Sequence, residues 1–400
     1  MLSLQIFQGI YTFFLLKPEV ALVRLLLIGL GFLLIYLGYR KTLEPLLMIP
    51  MGMGMLGTNG GLMVMEAGNL GTLFVNPLPS NVEELISLLQ INFLQPVYTF
   101  TFSNGLIACL VFLGIGAITD IDYLLAKPFM SFFLAVFAEL GTIATLPIAV
   151  ALGLAPKEAA AIALVGGADG PMVLYGSIMM AKNLFVPITI VAYVYLSVCY
   201  AGYPLLAKIV PKDLRGIEMD WRTIPAVSEG AKFAFAVIAG GVLSLVFPVA
   251  APLFISFFLG LAVKEAGITR YVEFLSGPLL YGATLFLGLT LGALLGVDII
   301  LNPRVLLLLV LGMLALTLSG LGGLVGGLIY HKLSKEPFNP LIGLAAVSCV
   351  PTTAKVAQKC AVEANHRVMI LPFAMGPNVA GVITTAIITG IYISGIGAVR

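Results

Sequence analysis

Gly166-Gly167-Ala168-Asp169-Gly170-Pro171 stands inside the apolar run from Ala159 to Met180. Proline lacks a backbone donor and glycine relaxes φ, so the six residues predict an interruption of a helical ladder with carbonyls set free. In hydrocarbon, freed carbonyls are tolerated only when buried in protein or lining a wet cavity. A charged side chain at that depth costs on the order of 3 kcal/mol on insertion scales, so Asp169 asks for a reason to be there.

The surroundings are as apolar as the run itself. Of 400 residues, 60% are hydrophobic and only 10% charged, with a mean hydropathy of +1.09. A water-soluble chain carries roughly 25% charged residues, so this composition predicts an all-α polytopic membrane protein. Apolar runs recur at Leu22 to Tyr39, Gly105 to Thr119, Pro128 to Leu154, Leu184 to Leu206, Phe233 to Phe247, Pro252 to Val263, Pro278 to Leu295, Val305 to Ile329, Leu341 to Ala361 and Val368 to Ile396. With long runs counted as single or broken helices, they predict about ten spans. The segment Met48 to Met65, with glycines at 52, 54, 57, 60 and 61, reads as too Gly-rich for a plain helix.

Residues 1–20 are expected to hold an interfacial amphipathic helix, since Met1 to Leu16 has neither a basic leader region nor a small-residue cleavage site. Residues 21–207 then form a first membrane half, 208–232 a polar connecting loop and 233–400 a second half. The loop carries Lys212, Asp213, Arg215, Glu218, Asp220, Trp221, Arg222 and Glu229. A net charge of +2 provides no basic stripe for nucleic acid. Cys109, Cys199, Cys349 and Cys360 lie singly in apolar segments and read as small buried hydrophobes, and His331 and His366 sit apart at loop positions. No zinc or iron site is expected.

The two halves carry related breaks. The stretch containing Glu139 leads to Gly166–Pro171, and the stretch containing Ser348 leads to Gly376-Pro377-Asn378, at a similar separation of about thirty residues. Interrupted hydrophobic segments at corresponding places in two halves point to a transport site near the bilayer midplane. Unwound carbonyls, the Asp169 carboxylate and the Asn378 amide oxygen form a hard-oxygen set suited to one monovalent cation. The shortage of further carboxylates argues against a Ca²⁺ cage. Asp169 paired with Lys355 would instead be a purely structural arrangement. Glu139 is a second intramembrane carboxylate, either functional or simply hydrogen-bonded. Lys355 is suited to attract an anionic substrate or to snorkel toward the interface. Tyr195, in a run with Tyr193, Tyr200 and Tyr203, is suited to relay a proton or to sit in an interfacial aromatic belt.

The Gly166–Pro171 motif, together with Gly376-Pro377-Asn378-Val379-Ala380-Gly381, resembles the beta subunits of biotin-dependent sodium-pumping decarboxylases. These act with oxaloacetate, methylmalonyl-CoA, glutaconyl-CoA or malonate decarboxylases. Further matching segments are Glu44-Pro45-Leu46-Leu47, Gly114 to Asp120, Asn339-Pro340-Leu341-Ile342-Gly343 and Val362-Glu363-Ala364-Asn365, so the resemblance covers nearly the whole chain. It implies a multi-pass protein of a prokaryotic plasma membrane, with two inverted repeats, an elevator-like core plus scaffold, and a homotrimeric core. It implies partners as well: a carboxyltransferase, a biotin carrier and a small membrane-anchoring subunit. The activity implied is decarboxylation of carboxybiotin supplied on a partner, with proton consumption and Na⁺ export.

The resemblance assigns Asp169 as principal Na⁺ ligand and proton-linked residue. It adds Asn339, Gly343, Ser348 and Asn378 to the cation site, gives a functional phenol to Tyr195, and makes Lys355 the cationic residue toward carboxybiotin. Lys355 stands where the family has arginine and loses the bidentate fork that suits a carboxylate. The loop Asn69 to Phe102 also departs, and Thr384-Thr385 replaces a small Gly-Ser pair. The rival expectation is a stand-alone Na⁺-coupled carboxylate transporter with no biotin partner.

Overall fold

Helix dominates the backbone, and among the described residues the one sheet is the antiparallel pair Met63–Val64 and Leu70–Gly71. The structure, a computed structural model, describes residues 6–65, 70–77, 79, 81–220, 222, 224–301 and 303–397. Met1 to Gln5, Asn69, Trp221 and the side chain of Tyr200, all noted in the sequence, lie outside the described residues. Among the described residues seven helices are long and apolar enough to cross a membrane: Pro18–Tyr39, Pro128–Ala151, Glu229–Val246, Pro248–Glu265, Thr269–Leu294, Pro303–Leu333 and Leu371–Ile396. The bent pair Gln95–Phe102 and Leu106–Ile118, angled by 71°, makes an eighth if taken as one span. The chain is an all-α polytopic membrane protein. The sequence count of about ten includes the runs Ala159 to Met180 and Leu341 to Ala361, which the structure divides into short helices.

The chain forms two compact units. In the unit Met1–Ile107 with Tyr281–Leu307, the Met/Gly-rich segment is a helix, Pro45–Gly60, which corrects the sequence reading. Its glycines serve contact rather than flexibility. A Cβ on Gly54 would lie 2.2 Å from the carbonyl of Leu289, and one on Gly292 would lie 1.9 Å from that of Met51. The two backbones touch, and packing gained there outweighs the poor helix propensity of glycine. Arg24, fully buried in the span Pro18–Tyr39, closes the far end of this helix. It donates to the carbonyls of Asn59 (2.5 Å) and Gly60 (3.3 Å), to Thr12 Oγ1 (2.8 Å) and to Gly9 O (3.1 Å), and stacks 4.0 Å over the Phe13 ring. A guanidinium at the negative end of a helix dipole is favourably placed, and here it also fastens the short helix Gln8–Leu15.

The other unit, Ala108–Leu280 with Leu308–Arg400, holds both sequence motifs. Its innermost stretches are 159–178 and 338–348, in which every residue is buried. The polar connection begins after the helix Phe185–Ala207 and ends at Ser228, whose hydroxyl caps the helix Glu229–Val246. Asn339 Nδ2 donates to the carbonyls of Arg215 (2.8 Å) and Ile217 (3.1 Å), and Asn365 Nδ2 to that of Gly216 (3.1 Å), so the loop is stitched to the second half. Elsewhere in this unit Lys232 pairs with Asp122 at 2.7 Å and Glu265 at 3.7 Å, and Lys264 Nζ donates to Thr119 O at 2.5 Å.

Candidate functional site

The first break folds as its composition requires. The helix Pro156–Ala163 tightens into a 3₁₀ turn, Leu164–Gly167. Ala168 then takes a left-handed conformation (φ 55°) and Asp169 caps a new helix, Gly170–Met180. Pro171 falls in the first turn, where its missing N–H leaves no gap. Asp169 Oδ1 accepts from Met172 N at 3.1 Å, which uses one carboxylate oxygen for the cap. The side chain is almost fully buried, at the positive end of the helix, where negative charge is favoured. Gly166 and Gly167 have no room for a Cβ: it would meet Thr142 N at 2.5 Å in the first case and Thr385 Cγ2 at 2.5 Å in the second.

The second break is not where the sequence placed it. Leu371–Gly397 runs as one helix through Gly376-Pro377-Asn378, with Pro377 inside it. Proline removes a single ladder bond, a loss that packing absorbs inside a membrane bundle; Gly376 here seats against Leu124, Tyr123 and Ser131. The interruption falls earlier, between the short helix Ile342–Ala345 and the helix Thr352–Ala364. Asn378 reaches across to hold it. Its Nδ2 donates to Ala345 O (2.7 Å), Val347 O (3.2 Å) and Thr353 Oγ1 (2.9 Å), and Thr353 Oγ1 in turn donates to Val347 O at 2.7 Å. Asn378 Oδ1 is buried without a hydrogen-bond partner. An orphaned amide oxygen in a fully buried side chain is an acceptor held ready for a ligand.

The two breaks meet at Ser348. Its backbone N–H (3.1 Å) and its hydroxyl (2.5 Å) both donate to the carbonyl of Gly167. Ser348 Oγ lies 3.1 Å from Thr385 Oγ1 on the C-terminal helix. Thr385 donates to Glu139 Oε1, and Thr142 donates to Glu139 Oε2 at 2.6 Å. Asp169 lies within electrostatic range of Glu139 and of the Tyr193 phenol. Neither carboxylate forms an ion pair among the described residues, and Lys355, exposed in the first turn of Thr352–Ala364, does not pair with Asp169.

Asp169, Ser348 and Asn378 therefore belong to one buried neighbourhood. Asn339 and Gly343 have other contacts. Asn339 spends its amide on the mid-chain loop and its Oδ1 on Leu341 N at 3.1 Å. Gly343 is a packing residue, since a Cβ would stand 2.0 Å from Gly323 O. Tyr195 donates to Leu309 O at 2.8 Å, whereas the buried phenol of Tyr193 has no partner. Two positions apart on a helix means 200° of rotation, so the two phenols point to nearly opposite sides. Sequence reading missed Thr142, Thr353, Thr385 and Tyr193. The available signals were the i, i+3 spacing of Glu139 and Thr142 and the replacement of a Gly-Ser pair by Thr384-Thr385.

A cavity of about 800 Å³ in the same unit is lined among others by Tyr123, Lys127, Arg222, Glu336 and Phe373. Phe373 precedes Asn378 on the same helix by five residues, an axial rise of about 7.5 Å.

A family model described as the Na⁺-transporting oxaloacetate decarboxylase beta subunit matches residues 23–396. A carboxybiotin decarboxylase of Malonomonas rubra is 53% identical over 392 residues, covering 98% of each chain. The methylmalonyl-CoA decarboxylase subunit beta of Propionigenium modestum is 34% identical over 90% of this chain and 91% of its own. A probable oxaloacetate decarboxylase beta chain of Vibrio cholerae is 32% identical over 92% of this chain and 94% of its own. With matches of that length, this chain belongs to the family of Na⁺-transporting oxaloacetate decarboxylase beta subunits.

Proposed function

We propose that this chain decarboxylates carboxybiotin carried on a partner subunit and couples that reaction to Na⁺ export, consuming one proton per CO₂ released. The observation that carries the reading is the convergence of the two broken segments on Asp169, Ser348 and Asn378, in a chain of this family. Na⁺ is the cargo. Asp169 supplies the full charge, and Asn378 Oδ1, Ser348 Oγ and backbone carbonyls of the breaks supply neutral oxygens. Unwound carbonyls next to helix ends are the usual means of holding a small cation within a membrane.

In the reaction the bond between the ureido nitrogen and the carboxyl carbon breaks, CO₂ leaves, and the nitrogen takes up a proton. Lys355, exposed at the start of the helix Thr352–Ala364, meets the carboxylate of the arriving carboxybiotin. Tyr193, with an unengaged phenol near Asp169, hands on the proton, while Tyr195 fixes its helix to the carbonyl of Leu309. Competition of H⁺ with Na⁺ for Asp169, unequal in the inward and outward states, then expels the ion. Inverted repeats, an elevator-like core within a scaffold and a homotrimer complete this reading. So do carboxyltransferase, biotin-carrier and small membrane-anchoring partners in a prokaryotic plasma membrane. The acid decarboxylated is chosen by the carboxyltransferase.

The test is uptake of radioactive Na⁺ into inside-out vesicles containing the complete complex, with and without avidin. Uptake driven by a carboxylic acid and blocked by avidin is the expected result. Na⁺ uptake indifferent to avidin would point instead to a stand-alone carboxylate symporter.

A further inference from the structure

Glu139 is a buried charge that the scheme above does not use. It sits at the junction of the helices Pro128–Ala138 and Leu140–Ala151, within one membrane span and 2% exposed. The carboxylate accepts from two threonines at its two oxygens, which a glutamine could not do because its nitrogen donates; two neutral hydroxyls still do not offset the cost of a charge buried there.

Counting hydrogens shows what the carboxylate does to its neighbours. A hydroxyl has one hydrogen to give. Thr385 has two acceptors for its hydrogen, Glu139 Oε1 and Gly381 O at 3.0 Å, of which the carboxylate is the stronger, and Ser348 gives its own to Gly167 O. The Ser348 Oγ–Thr385 Oγ1 pair, 3.1 Å apart, is then left with no hydrogen between the two oxygens. Lone pairs facing one another beside a freed carbonyl are unfavourable unless a cation comes to them. A second buried acceptor in the same neighbourhood, Asn378 Oδ1, also lacks a donor. Among the described residues no Lys or Arg forms an ion pair with Glu139 or Asp169.

We infer that Glu139 is a positioning residue of the cation site. It turns the Thr385 hydroxyl away from Ser348, leaves the Ser348 oxygen open to Na⁺, and adds a second negative charge to the field at Asp169. The inference rests on the reading of Asp169 as the Na⁺ ligand. It assigns to Glu139, Thr142 and Thr385 a share in Na⁺ affinity, with no direct contact to the ion required of Glu139.

The experiment is a Na⁺ titration of carboxybiotin decarboxylation by the complete complex. A Glu139→Gln variant keeps the shape but loses the charge and one of the two accepting oxygens. The half-saturating Na⁺ concentration is expected to rise about tenfold, by more than the rate at saturating Na⁺ falls, as for a charge removed at short range in a medium of intermediate dielectric. Glu139→Asp, which restores the charge, is expected to recover most of the affinity. Thr385→Val, of equal shape, cuts the link and is expected to shift half-saturation in the same direction, which keeps the inference testable if Glu139→Gln does not assemble. An unchanged half-saturation in assembled Glu139→Gln and Thr385→Val complexes overturns it, as does a fall in rate at every Na⁺ concentration with the midpoint fixed. Asp169→Asn is the control: if its Na⁺ dependence matches the parent complex, the Asp169 reading has failed rather than this extension of it.

Discussion

Ser348 grips the carbonyl of Gly167 twice, through its backbone N–H at 3.1 Å and through its hydroxyl at 2.5 Å, across 181 positions of sequence. One carbonyl oxygen has two lone pairs, and both are used. The two interrupted segments are thereby joined at the residue that precedes Ala168 and Asp169.

Removing the Asp169 charge takes away the only formal charge proposed to touch the ion. Asp169→Asn is expected to lower Na⁺ affinity by at least about two orders of magnitude, as for loss of one partner of a buried ion pair. Na⁺-dependent decarboxylation and Na⁺ uptake in vesicles both check it. Decarboxylation that keeps its normal Na⁺ dependence in Asp169→Asn would sink the site assignment.

Ser348→Ala leaves Gly167 O with the backbone donor only. The expected loss of stability is about 1–2 kcal/mol for one buried hydroxyl bond, read as a lower melting temperature of the purified protein. Weaker Na⁺ binding is expected along with it, because the same oxygen is proposed to meet the ion.

Tyr193 and Tyr195 should separate cleanly. Tyr195→Phe removes a second hydrogen bond from the Leu309 carbonyl, which its own helix also engages, and is expected to cost about 1 kcal/mol of stability. Tyr193→Phe removes a hydroxyl that bonds to nothing, so thermal stability should hold or rise while the decarboxylation rate falls. The opposite pattern would return the proton-handling role to Tyr195.

Asn339→Ala frees the carbonyls of Arg215 and Ile217 from their shared donor. Faster tryptic cleavage after Lys212 or Arg215 is the expected result, seen by timed digestion and mass spectrometry. Cleavage at the parent rate would show that the loop is held without this residue.

Much of this molecule was legible in its sequence. The hexapeptide Gly166–Pro171 announces its own break, because proline and glycine act locally on the chain that carries them. Membrane class follows from composition for an equally local reason. Contacts chosen by distant partners were not legible. Met48 to Met65 looks unhelical until Leu289 and Gly292 are known to lie against it. Pro377 looks like a break until its helix is seen to continue, and Asn378 acts on a break some thirty residues upstream. Asn339 is chemically fit for a cation, yet the polar loop claims its side chain, and no periodicity in the sequence reveals that competition.

Asn339 and Asn365 are made late, in translation order, yet they clasp carbonyls of Arg215, Gly216 and Ile217 that were made long before. A nascent first half thus leaves the ribosome with its loop carbonyls and the Gly167 carbonyl unsatisfied, to be met by water or by temporary partners until the remaining residues arrive. Biosynthesis therefore closes the mid-chain loop and the first break only after the second half has arrived. A polypeptide terminated before Asn339 would possess Asp169 and every span preceding it, and still lack the Ser348 and Asn378 donors that tie the two breaks together.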